Sequence, residues 1–141
     1  MKKSNDILIP EFERLLHEGH SVEFCPQGIS MRPFLEGGRD RVVVKSCHNP
    51  QVGLIVLAKI ANTYVLHRIY HIKGQQIILR GDGNLMGYEV CLAEDIIGYV
   101  VQIKTSHNHY KCVHKAWLWR HMPTRFKEIA LKIYRKLIIY M

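Results

Sequence analysis

Ser30 lies in the run Gly28-Ile29-Ser30-Met31-Arg32-Pro33, and His67 lies in Val65-Leu66-His67-Arg68-Ile69. A serine hydroxyl is a poor nucleophile near neutral pH until a base takes its proton. An imidazole, with an ordinary pKa near ~6.5, suits that task. The two residue types therefore suggest the nucleophile and general base of an acyl-transfer reaction. Gly28 permits a positive φ or a close backbone approach, while Pro33 locks its own φ and biases Arg32 toward extended backbone. Such a segment can hold the Ser30 hydroxyl outward. It can also leave the backbone N–H groups of Gly28 and Ser30 outside any ladder, as an oxyanion hole requires. Met31 and Phe34 are the expected apolar anchors of this loop. Taken alone, the same residues also read as an ordinary turn, and His67 as a histidine satisfied by a local hydrogen bond. Lys59 is a second candidate base, because a buried lysine with a depressed pKa can also activate a serine. In Leu79-Arg80-Gly81-Asp82-Gly83-Asn84, Asp82 either bonds its own turn, or orients His67 or shapes the site as the third member of a triad does.

These residues need elements to position them. Residues Ser4 to Glu18 read as a helix, with Leu8, Phe12, Leu15 and Leu16 on one face and Gly19 as its stop. Pro10 also allows a shorter helix that begins there. Val22 and Phe24 then alternate with polar residues as a strand does. After the loop from Pro26 to Gly38, β-type runs are expected at Arg41–Ser46, Gly53–Ile60, Thr63–Lys73, Gln76–Arg80, Ile96–Thr105 and Tyr110–His114. Ala61-Asn62 and Gly74-Gln75 suit tight hairpins. Closely spaced strands without intervening helices indicate a mainly β, antiparallel domain over residues 1–114. Residues 115–141 differ in character. Phe126, Ile129, Ile133, Leu137 and Tyr140 recur at helical spacing, which predicts a basic amphipathic helix from about Pro123 to Met141.

The chain has 141 residues, 48% of them hydrophobic and 23% charged, as expected for one folded domain with a real core. Its net charge of +8 is unevenly placed. Lys115, Arg120, Arg125, Lys127, Lys132, Arg135 and Lys136 stand against the single acid Glu128 after residue 114, and the remainder is nearly neutral. That asymmetry argues against a general nucleic-acid binder. Cys25, Cys47, Cys91 and Cys112 form no CxxC pair, so reduced, buried thiols are expected. Asp6, Glu11, Glu13 and Arg14 break up the N-terminal apolar residues, so no secretory signal is expected. No run reaches the ~18 apolar residues that span a bilayer. The expected location is the cytoplasm, with peripheral attachment to the inner membrane surface as an option.

Five segments in order resemble the type I signal peptidase and LexA-like superfamily of serine peptidases. They are Gly28-Ile29-Ser30-Met31-Arg32-Pro33, Asp40-Arg41-Val42-Val43-Val44, His67-Arg68-Ile69, Arg80-Gly81-Asp82-Gly83-Asn84 and Asp95-Ile96-Ile97-Gly98-Tyr99-Val100. The resemblance covers roughly residues 20–105. His67-Arg68 is similar to the histidine-base, endoplasmic-reticulum and archaeal type, and this favours His67 over Lys59. The resemblance implies a catalytic domain of coiled antiparallel β-sheets without a cofactor. It implies catalysis by Ser30, His67 and Asp82, with Glu89 as a secondary acid, and cleavage of a peptide bound in extended form by strand addition. The chain departs from the family pattern where a Gly-Asp pair is interrupted as Gly38-Arg39-Asp40. The expected layout is that of small, anchorless bacterial relatives.

Two other readings stay open: a non-catalytic peptide-binding or regulatory module on the same fold, and a membrane-surface protein acting through its basic tail. The tail itself has three options, which are packing on the β domain, lying on an anionic membrane with Trp117, Trp119 and Tyr140 at headgroup level, or binding a partner helix or nucleic acid. His107, His109, Cys112 and His114 are metal-capable, but their spacing matches no common zinc pattern, and no metal is expected.

Overall fold

The structure, a computed structural model, describes residues 5–105 and 109–139. Helix α1 (Asn5–His17) precedes strands β1 (Val22–Phe24), β2 (Arg41–Lys45), β3 (Ile55–Ile60), β4 (Thr63–Lys73), β5 (Gln76–Arg80), β6 (Glu89–Leu92), β7 (Ile96–Lys104) and β8 (Tyr110–Lys111). Helices α2 (Trp117–Arg120) and α3 (Thr124–Ile139) follow. The strands form one antiparallel eight-stranded sheet in the order β1-β2-β7-β3-β4-β5-β6, with β8 paired to β7. The mainly β expectation therefore holds at this level.

The hairpins form where the turn residues ask for them. Ala61 and Asn62 both have positive φ, as a two-residue turn of mirror-image type requires, and they join β3 to β4. Gly74, at φ +61°, turns β4 into β5. Three register shifts interrupt the ladders, at Val43/Val44, Leu57/Ala58 and Ile69/His71. Each bends its strand and increases the local twist, so the sheet curls.

Curling buries β3 on both faces. Ile55 and Leu57 join a core with Leu16, Phe24, Met31, Leu35 and Val42, while Val56 and Ala58 join a second core with Ile69, Ile77, Leu79 and Cys91. A strand covered on both sides reads as a continuous apolar run, as this one does.

Several expectations need correction. Pro10 sits inside α1 and does not begin it. Strand β6 was not anticipated, because Val90 and Leu92 are exposed apolar residues that hide the alternation around buried Cys91. The last strand is shorter than expected and stops at Lys111. The C-terminal segment is two helices, not one. Pro123 lacks a donor and restricts Met122, and the chain turns between α2 and α3. All four cysteines are free, but only Cys91 is buried, and Cys112 is exposed. Burial pushes the Cys91 thiol up to about 11. His107 and Tyr140 lie outside the described residues. Among the described residues, no helix is long and apolar enough to cross a membrane.

Candidate active site

The serine loop leaves β1 and is pinned at each end of its course. Gly28 has φ +93°, a conformation that favours glycine, and a Cβ on Gly37 would meet the Gly28 carbonyl oxygen at 2.0 Å. The Ser30 carbonyl accepts a 2.8 Å hydrogen bond from the Gly83 N–H, which ties this loop to the acidic one. Gly81 lies so close that a Cβ there would stand 2.4 Å from the Ser30 carbonyl oxygen. Met31 is buried, and Phe34 packs edge-on against His114 and Trp119. Among the described residues, no hydrogen bond occupies the N–H of Gly28 or Ser30. The Arg32–Pro33 peptide bond is cis.

The Ser30 hydroxyl and His67 Nε2 share a hydrogen bond of 3.1 Å. On the other side of the ring, His67 Nδ1 bonds Glu89 Oε1. A carboxylate oxygen accepts, so Nδ1–H is the donor and Nε2 is left free to receive the serine proton. The His67 side chain is 12% exposed and that of Glu89 is 25% exposed. The ring therefore has shelter from water and an opening to a ligand. Beside Ser30 and His67 is a cavity of about 180 Å³, walled by Phe24, Met31, Leu35, Leu57, Tyr64 and Leu66 among others.

The carboxylate on His67 belongs to Glu89 and not to Asp82, which corrects the expected orienting role of Asp82. The reason is the two-residue period of a strand. His67 and Arg68 are neighbours on β4, so their side chains leave on opposite faces. Asp82 belongs to Arg68: Nε donates to Oδ1 and Oδ2 at 3.0 Å each, and Nη2 to Oδ2 at 2.9 Å. Tyr70 donates its hydroxyl to Asp82 Oδ1 at 2.8 Å. Glu89 reaches the other face because the register aligns Ile69 with Leu79 and Leu79 with Glu89. Ile69 is two residues from His67 and shares its face. Glu89 thus stands diagonally across the sheet from the imidazole, a placement that depends on the unforeseen strand β6.

The Arg68–Asp82 pair is a strut, with side chains 1% and 0% exposed. Arg68 Nη1 also donates to the carbonyls of Gly53 and His114 at 2.8 Å each. Trp119 Nε1 donates to the Asp82 carbonyl at 2.9 Å. One ion pair thus joins β4, the acidic loop, the turn before β3 and the C-terminal segment. Burial, then the neighbouring Asp82 carboxylate, push the Tyr70 phenol well above its ordinary range. Neither the motif nor the spacing of Arg68 and Asp82 predicts this network. Its signal was an arginine on a largely apolar strand, since a buried cation requires a carboxylate.

The remaining candidates lie elsewhere. The Lys59 ammonium is 5.4 Å from the centroid of the Tyr64 ring, and the base that bonds Ser30 is His67. His114 Nδ1 accepts from the Ala116 N–H. Among the described residues, no three acidic, histidine or cysteine side chains converge as a metal site. The chain matches no known protein-family model and no curated protein.

Proposed function

We propose that this chain is a serine endopeptidase of the signal peptidase and LexA-like type that uses Ser30, His67 and Glu89. The observation that carries the reading is the continuous relay from Ser30 Oγ through both ring nitrogens of His67 to a carboxylate. In this mechanism Nε2 takes the hydroxyl proton as Oγ attacks a peptide carbonyl carbon. The oxyanion is met by the N–H groups of Gly28 and Ser30. The intermediate collapses, the C–N bond breaks, and His67 returns the proton to the leaving amine. A water then gives its proton to Nε2, attacks the acyl ester and releases the serine. Glu89 fixes the tautomer and balances the transient imidazolium. Asp82 acts by holding Arg68 and the acidic loop, so it is a positioning residue. An extended peptide segment is the substrate class, with one apolar side chain in the cavity beside Ser30.

The test is labelling by a fluorophosphonate, with the modified residue located by mass spectrometry. Wild-type protein is expected to carry the label on Ser30. Ser30→Ala and His67→Ala lose it, and Lys59→Ala keeps it. Labelling of His67→Ala at the wild-type rate would overturn the mechanism. A wild-type protein that stays unlabelled from acid to alkaline pH would favour a non-catalytic peptide-binding module.

A further inference from the structure

Helix α3 meets the β domain with one face and leaves an adjoining apolar face uncovered. The inward face carries Lys127, 4% exposed, whose ammonium lies 5.4 Å from the Tyr70 ring centroid and 5.9 Å from that of Trp119. One turn pair later, Tyr134 donates its hydroxyl to Glu36 at 3.1 Å. Residues three and four apart share a helix face. By that spacing Phe126, Ile129, Ile133 and Leu137 form a second stripe, and they are 50–58% exposed. Arg125, Lys132 and Lys136, all exposed, line the side of this stripe that faces away from the domain. Trp117 and Leu118, just upstream, are also exposed.

Charge decides what can cover such a stripe. The β domain already holds the other face. A second copy would bring two rows of arginine and lysine together, which like-charge repulsion opposes. Nucleic acid would satisfy the cations and leave the apolar stripe wet. An anionic lipid surface satisfies both. Apolar side chains enter the acyl boundary, lysine and arginine reach the phosphates, and an exposed tryptophan suits the headgroup layer.

We propose that α3 is an interfacial membrane anchor. It lies in the plane of an anionic bilayer, with Phe126, Ile129, Ile133 and Leu137 toward the acyl chains and Arg125, Lys132 and Lys136 at the phosphates. Tyr134 bonds Glu36, and Glu36 pairs with Arg32 at 2.8 Å, so the anchor is bolted to the loop that carries Ser30. Membrane placement does not depend on peptidase activity.

Co-sedimentation of the full chain with vesicles tests this. The vesicles are phosphatidylcholine alone, or phosphatidylcholine mixed with phosphatidylglycerol, at low and high salt. Binding to the anionic vesicles is expected to exceed binding to the neutral ones by at least about tenfold and to weaken with salt. Ile129→Asp combined with Ile133→Asp abolishes it, as does Lys132→Glu combined with Lys136→Glu. Lys45→Glu on β2 leaves it unchanged. Unaltered circular dichroism shows that each variant is folded. Equal binding to both vesicle types, or wild-type binding by the Ile129/Ile133 variant, overturns the proposal. So does absent vesicle binding together with a dimer, seen by ultracentrifugation, that the same variant dissociates. No outcome involves cleavage, so a peptidase-inactive chain can still pass.

Discussion

The imidazole of His67 has two partners, and the chemistry depends on which nitrogen faces which. Glu89 holds the proton on Nδ1 and leaves Nε2 to Ser30. Replacing Glu89 with Gln keeps the size but loses the charge that favours the imidazolium, and the amide can offer its N–H to Nδ1 and invert the tautomer. Glu89→Gln is expected to slow fluorophosphonate labelling by roughly 10²–10⁴-fold with stability little changed, the range typical of general acid–base assistance. Labelling at the wild-type rate would remove Glu89 from the relay. Asp82 is a contrasting carboxylate. It is fully buried against Arg68, and its replacement should act on folding first.

That difference belongs to the elements. β4 presents His67 to the cleft on one face and Arg68 to a strut on the other, and Tyr70, two residues on from Arg68, bonds the same Asp82. Asp82→Ala strands a buried guanidinium. It is expected to cost about 3–5 kcal/mol, read as a lower urea midpoint at unchanged slope. A loss below about 1 kcal/mol would mean that Arg68 finds another partner or water. The two loops that meet over the site are equally exacting. Gly81→Ala places a methyl group 2.4 Å from the Ser30 carbonyl oxygen and 3.0 Å from its Cβ. Backbone cannot yield as a flexible side chain does, so the loops must separate. The variant should label slowly even where it remains folded by circular dichroism, and normal labelling would show that the contact is dispensable.

At the scale of the molecule, buried carboxylates tie the serine loop to β2, β8 and α3. The bond from Arg32 holds the Glu36 carboxyl below its ordinary value, and Tyr134 adds to this. Burial pushes Asp40 up, but the bond from Arg39, the Glu36 N–H and the Lys111 ammonium together pull it below. A carboxyl with a lower pKa in the folded state binds fewer protons there than in the unfolded chain. Its stabilisation is present above the unfolded values, about 3.9 for Asp and 4.3 for Glu, and is lost as pH falls through the folded ones. The urea midpoint should therefore be flat on these groups' account down to about pH 5 and then drop. Asp40→Asn, less stable at neutral pH, should show a shallower drop. An acid limb of unchanged slope would remove Asp40 from this linkage.

The amino-acid sequence by itself determined the local features. Asn62 and Gly74 mark two hairpins, because asparagine and glycine are among the few residues that accept positive φ readily. The apolar run of β3 read as a strand, but its cover on both faces came from the curl of the sheet, and the serine and histidine were chosen by residue type and motif. The tertiary structure alone decided the partners. Glu89 reaches His67 through the pairing of β5 with β6, a strand whose exposed Val90 and Leu92 conceal its period. Asp82 turned to Arg68 because adjacent strand residues leave on opposite faces. The stripe on α3 was readable as apolar, but only the packing of Lys127 and Tyr134 against the domain showed that this stripe faces outward. Periodicity reports which side chains share a face. Register and docking, which join residues far apart in the chain, decide what that face meets.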